Sequence, residues 1–139
     1  MNEHPKAVCL LWQIDGHILA VSRKDDRTKF GLPGGKVDPG EDPETAIVRE
    51  VEEETRAEGR PGVFVSGLAP IFTRVCPGDA TYTSTTYYAA AKSAKLPPTP
   101  YVNTEGAVVD WVKPDVLLRG PFGDYNRALF QHLGIPFQG

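Results

Sequence analysis

Glu50, Glu52, Glu53 and Glu54 place four carboxylates within five consecutive residues. On a helix turning about 100° per residue, Ala46, Glu50, Glu53 and Glu54 fall within roughly 100° of one another. Ile47, Val48 and Val51 form the neighbouring stripe, which should face a sheet, while Glu52 points away from both and reads as solvated. Like charges at i+3 and i+4 each destabilise an isolated helix by roughly 0.2–0.5 kcal/mol. Acids bordering an apolar stripe are also screened less by water, so something positive should sit over them. Arg49 can reach Glu53 at i+4 but cannot neutralise the cluster. Hard oxygen donors on one side of a helix suit Mg²⁺ or Mn²⁺. Just upstream, Pro33-Gly34-Gly35-Lys36 brings bare backbone towards the same place. Glycine presents carbonyls and amides without a side chain in the way, and Lys36 adds a point charge for a phosphate.

The surrounding elements must hold these groups. Ala7–Ile14 reads as a buried strand, Asp15-Gly16 as a primed hairpin turn, and His17–Ser22 as a second strand. The stretch from Arg23 to Gly40 has no periodicity and reads as a long loop. A helix should start at Asp42 as cap, with Pro43 in its first position, and run to about Arg56. Val63–Leu68, Ile71–Val75 and Thr81–Ala91 read as strands, with Pro77-Gly78-Asp79 as a turn. Lys92–Pro100 reads as an exposed connection, Ala107–Val112 as a strand, and a last helix is capped by Asp124 and stopped by Gly134. A central sheet with helices on its faces accounts for this order.

Composition bounds the partners. The chain has 139 residues, enough for one domain over residues 1–139, and a formal net charge of −3. A broad grip on a nucleic-acid polymer is therefore not expected, whereas a small phosphorylated molecule held by a few local cations is compatible with this charge. Cys9 and Cys76 form no metal-ligand pair and read as reduced core residues. The longest apolar run, from Ala7 to Trp12, is six residues, so neither a membrane span nor a signal peptide is expected and the cytoplasm is the default location.

Taken together, these residues resemble the Nudix family. The matching positions are Gly35, then Glu41, then Arg49-Glu50-Val51 with Glu53 and Glu54, in the family's order and spacing. The helix-closing glycine of the family is Arg56 here, followed by Ala57. That glycine normally adopts a left-handed conformation, which costs a side-chain-bearing residue roughly 1 kcal/mol or more. Either the helix runs on towards Gly59 or its last turn is arranged differently. The resemblance implies an α/β/α sandwich with a mixed central β-sheet, and divalent-metal-dependent hydrolysis of a nucleoside diphosphate linked to another moiety. It also implies that Glu53 and Glu54 ligate metal with help from the Gly34 carbonyl. By the same resemblance Glu50 is a metal ligand or the base, and Arg49 orients these acids.

Outside these positions, Glu105-Gly106 followed at the matching interval by Trp111 resembles the MutT-type nucleoside triphosphate pyrophosphohydrolases, in which that Glu completes the metal site. Phe122 with Asn126 resembles their base-recognising pair, and Ser22-Arg23-Lys24 a basic pair near the substrate. The resemblance thus implies release of a nucleoside monophosphate and pyrophosphate, with 8-oxo-dGTP among the candidate substrates, by water attack at phosphorus. Two alternatives stand beside it. One keeps the fold and metal but acts on ADP-ribose, a dinucleoside polyphosphate or a nucleotide sugar. The other is a non-catalytic nucleotide-binding module, which the intact carboxylate set disfavours. A monomer and a homodimer are both compatible with the sequence.

Overall fold

The architecture is taken from a computed structural model describing residues 5–77, 81–93 and 96–138. Alternation along β1 (Lys6–Leu10) sends Val8 and Leu10 into one core, while Cys9 faces the other way towards Thr86. β1 pairs in parallel with β7 (Tyr82–Lys92) and antiparallel with β5 (Gly34–Lys36). β7 in turn pairs antiparallel with β6 (Val65–Cys76), giving a mixed sheet of order β5-β1-β7-β6. The helix α1 (Pro43–Thr55) lies on one face, burying Ala46, Ile47 and Val51 against Val8, Leu10, Tyr87 and Ala89. Removing each large apolar side chain of this set from water contributes roughly 1.5–3 kcal/mol. Tyr125 of α3 (Gly123–Leu133) meets the other face, its hydroxyl 2.7 Å from Thr86 Oγ1. Helices therefore flank the mixed sheet on both sides, the arrangement of an α/β/α sandwich.

The strands divide into two sheets rather than one. β2 (Gln13–Ile14), β3 (His17–Ser22), β9 (Val108–Val112) and β8 (Tyr101–Val102) form an antiparallel set, with β4 (Phe30–Gly31) also on β3. β3 is buried on both faces: Ile18 and Ala20 pack on α2 (Pro114–Leu118) and α3, and Leu19 and Val21 pack on Ala107 and Val109. A strand covered on both sides carries no polar alternation, so beyond its hairpin partner β2 its pairing with β9 and β4 is not visible in its sequence.

Several expectations are corrected in detail. The Ala7–Ile14 run breaks at Leu11–Trp12, where the chain passes from one sheet to the other. The hairpin turn is realised, with Asp15 at φ 52° and Gly16 at φ 77°. Two of the predicted strands are one, β6, which continues through a bulge between Pro70 and Phe72 because a bulge tolerates a residue without an N–H. The Arg23–Gly40 loop contains β4 and β5. The last helix starts after Phe122, not at Asp124, and Asp42 precedes α1 without a side-chain capping bond. Gly134 ends α3 in the left-handed conformation, φ 71°. Gly78 and Asp79 of the predicted turn lie outside the described residues, as do residues 94 and 95 of the Lys92–Pro100 connection. Among the described residues no helix is long and apolar enough to cross a membrane.

Candidate active site

β5 brings the glycine turn onto β1, with Gly34 opposite Cys9 and Gly35 opposite Val8. A Cβ on Gly34 would lie 2.0 Å from the Val8 carbonyl oxygen, and one on Gly35 would lie 2.6 Å from the Glu50 carboxyl carbon. Backbone blocks any side chain at Gly34, and one at Gly35 would displace the Glu50 carboxylate; through that gap the acids of α1 reach the strand. The Gly34 N–H donates to Glu54 Oε1 at 2.6 Å. Burial pushes the Glu54 carboxyl up to about 8, the Gly34 N–H opposes the rise, and the charges of Glu50, Glu105 and Glu53 add to it.

Arg49 organises the upstream acids. Its Nε and Nη2 grip the two oxygens of Glu41, each at 2.9 Å, and Nη1 donates to Glu50 Oε1 at 2.9 Å. Nη2 also donates to the Lys36 carbonyl at 3.3 Å and lies 3.4 Å from Asp38, while Glu53 stands 3.7 Å from Nη1. One guanidinium thereby ties β5, the connection to α1, and α1 itself. The fork holds the Glu41 carboxyl down at about 2, helped by the Asp38 N–H. Glu50 goes the other way: desolvation raises it, and Arg49 only partly offsets that.

The end of α1 shows how the chain manages without the closing glycine. Arg56 leaves the helix in an extended conformation, φ −68° and ψ 131°, so no left-handed residue is needed. The last carbonyls are satisfied from β8 and the segment after it: Tyr101 Oη donates to Thr55 O at 2.7 Å, Asn103 Nδ2 to Glu54 O at 2.8 Å, and the Thr104 N–H to Arg56 O at 2.9 Å. Glu52 is not simply solvated. It pairs with Arg56 and accepts the Gly62 N–H at 2.7 Å, pinning the chain that leaves the helix. Glu105 follows in the same loop, with Lys24 Nζ 4.0 Å from its carboxylate.

A cleft of about 100 Å³ opens beside the glycine turn, lined by Cys9, Gly34, Gly35, Tyr82, Phe122 and Asn126 among others. Asn126 is buried, and its Nδ2 donates to the Leu117 carbonyl at 3.3 Å. Phe122 stands half exposed at the rim. The thiol of Cys9, pushed up to about 11 by burial, bonds Thr86 at 3.1 Å and borders the cleft rather than the core. The structure therefore gathers Gly34, Arg49, Glu50, Glu53, Glu54, Glu105 and Asn126 around one region. Lys36 is exposed at the end of β5. Arg23 is held by Asp25 in a bidentate pair, 2.8 and 2.9 Å, and lines a separate depression with Lys29 and Arg119.

Sequence reasoning passed over Asn103, Tyr101 and Tyr82. Asn103 carried the one usable signal, an Asn two residues before a Glu-Gly pair, which suits an Asx turn.

The donor set fits a hard divalent cation: half-buried carboxylates that repel one another beside unobstructed backbone. Among the described residues no group of three or more Asp, Glu, His or Cys side chains is already closed into a cage. The acids would have to draw in on the ion.

The NUDIX domain profile matches residues 2–133. The MutT Nudix hydrolase from Burkholderia pseudomallei superposes with a TM-score of 0.70 at 22% identity, covering 95% of this chain and 99% of that one. MutT from Aliivibrio salmonicida and Vibrio cholerae gives 0.67 at 23% identity, covering 96% and 98%. A Bacillus subtilis protein named "Putative 8-oxo-dGTP diphosphatase" is 60% identical over 38 residues, 27% of this chain. The match spans only 25% of that relative's length. With the profile extending over nearly the whole sequence and the fold shared end to end, this chain belongs to the Nudix family.

Proposed function

We propose that the protein is a divalent-metal-dependent nucleoside triphosphate pyrophosphohydrolase, releasing a nucleoside monophosphate and pyrophosphate. The observation that carries this reading is the contact of two α1 carboxylates with the glycine turn: Glu54 bonded to the Gly34 N–H at 2.6 Å and Glu50 packed where a Gly35 side chain would be. Such crowding of negative charge on bare backbone is the arrangement that a cation bridging protein and polyphosphate would relieve.

Glu53, Glu54, Glu105 and the Gly34 carbonyl would hold Mg²⁺ or Mn²⁺, with Glu50 as ligand or base. When bound, the metal would neutralise phosphate charge and acidify a water. Arg49 fixes Glu50 through Nη1 and, anchored on Glu41, keeps it beside Gly35. The raised basicity of Glu50, from desolvation that Arg49 only partly offsets, suits it to take a proton from water. Lys36 supplies charge for the phosphates, and Asn126 offers an amide edge to a base entering the cleft between Tyr82 and Phe122. Arg23 would meet a phosphate only after releasing Asp25. The short match to the Bacillus subtilis protein brings 8-oxo-dGTP forward as the first substrate to try.

The test is a panel of dNTPs, 8-oxo-dGTP, ADP-ribose and Ap4A with Mg²⁺. Pyrophosphate from triphosphates alone supports the proposal. AMP from ADP-ribose or Ap4A moves the substrate class, and binding without turnover refutes catalysis. Glu50→Gln should lower kcat by roughly 10²–10⁴-fold, and a variant retaining more than about a tenth of wild-type kcat removes Glu50 as the base.

A further inference from the structure

We infer that Asn103 is a positioning residue for the metal site: a single buried carboxamide that sets the Glu105 loop against the acidic end of α1. The inference rests on the metal-binding reading above and adds a residue to it. Asn103 is 5% exposed and uses both ends of its side chain. Nδ2 donates to the main-chain carbonyl of Glu54 at 2.8 Å. Oδ1 accepts from the Glu105 N–H at 3.0 Å and the Ala107 N–H at 2.9 Å. The backbones of two of the acids assigned to the cation, Glu54 and Glu105, are therefore joined through one planar group. Its own backbone adds closure, since Asn103 N–H donates to Ala107 O at 2.8 Å and Gly106 N–H returns to Asn103 O at 3.1 Å.

The tether has a reason to exist in this chain. Glu105 sits on a loop, whereas Glu50, Glu53 and Glu54 sit on a helix, and nothing in the helix fixes their mutual distance. The four acids repel one another, as the upward push of Glu105 on both Glu50 and Glu54 shows. Lys24, 4.0 Å away and exposed, is a weak restraint on the Glu105 carboxylate. Without a fixed backbone the loop would relax outward and the cation would lose a ligand. Residues that orient metal ligands without touching the ion typically change metal affinity or activity 10–100-fold when removed.

The test reads Mn²⁺ binding to the substrate-free full chain by the electron paramagnetic resonance signal of free Mn²⁺. Asn103→Ala should raise the Mn²⁺ Kd by at least about tenfold. Tyr101→Phe is the control. It removes the neighbouring hydrogen bond on the same helix end, Tyr101 Oη to Thr55 O, without touching Glu105. It should leave the Kd within about threefold of wild type. In a Glu105→Gln background the effect of Asn103→Ala should shrink, because the two act through one another. Asn103→Asp keeps the acceptor for the Glu105 and Ala107 N–H groups, loses the bond to Glu54 O and sets a carboxylate oxygen against that carbonyl. It provides the reading if the alanine variant does not fold, and it too should weaken Mn²⁺ by about tenfold. Wild-type-like affinity in the folded variants, equal losses in Asn103→Ala and Tyr101→Phe, or an undiminished effect in the Glu105→Gln background would each overturn the inference. Wild-type protein that leaves all Mn²⁺ free would instead overturn the metal-site reading itself, and this inference with it.

Discussion

Replacing Glu54 by glutamine should stabilise the metal-free protein, and more so as pH rises. The Glu54 carboxyl titrates near 8 in the fold against 4.5 ordinarily, chiefly because it is desolvated. Below the lower value both states hold the proton and nothing is gained or lost. Between the two values the folded chain keeps a proton that the unfolded chain has released, so stability falls as pH rises. The slope is at most about 1.4 kcal/mol per pH unit, and the loss, a few kcal/mol in total, is complete above the folded value. Glutamine carries no charge to desolvate, and its Oε1 can still accept the Gly34 N–H. At this chain length each 1 kcal/mol moves Tm by roughly 3–4 °C. In EDTA the two proteins should therefore melt together near pH 5 and separate by on the order of 10 °C by pH 9, the variant higher. Glu50 is raised chiefly by its own desolvation, which the variant keeps, so most of its contribution cancels in the comparison. Added Mg²⁺ at high pH should reverse the order by stabilising only the wild type. A calorimetric Tm difference that stays constant from pH 5 to 9, or a wild type that is the more stable at pH 9 in EDTA, would refute the reasoning.

The two glycines of the turn should fail differently. Gly34→Ala drives a Cβ into the Val8 backbone carbonyl, which cannot move without breaking the β1–β5 pairing, and should lower Tm strongly. Gly35→Ala meets only the end of the Glu50 side chain, so Tm should change little while activity falls, as thermal melts and pyrophosphate release together would show. Restoring the family's glycine with Arg56→Gly should not stabilise the protein, because Arg56 is already extended. Losing the Glu52 pair and gaining unfolded-state entropy should cost about 0.5–1 kcal/mol by chemical denaturation.

The acidic helix and the glycine turn were legible because their signals are local: one face of a 3.6-residue period, and paired glycines where backbone must approach. The Arg49 pairing with Glu41 lay within the spacing that suggested the family, yet its role as a three-way tie needed the fold, since β5 and the connection to α1 close on it from different directions. The division into two sheets was hidden because β3 is covered on both faces and shows no alternation. α2 was missed because five residues present too little periodicity to register. Arg56 could be flagged but not resolved, for the groups that replace the glycine cap, Tyr101, Asn103 and Thr104, come from far along the chain. Arg23 illustrates the converse: a basic residue in a suggestive place whose partner, Asp25, lies two residues away.

The account stands on the claim that the α1 acids and the glycine turn hold divalent cations against a polyphosphate. Crystals grown with Mn²⁺ and a non-hydrolysable nucleoside triphosphate, measured at the manganese edge, test it most directly. The account predicts anomalous peaks between the Gly34 carbonyl and the carboxylates of Glu50, Glu53 and Glu54, in contact with the phosphates. Nucleotide bound in the cleft with no anomalous peak at those groups would contradict it.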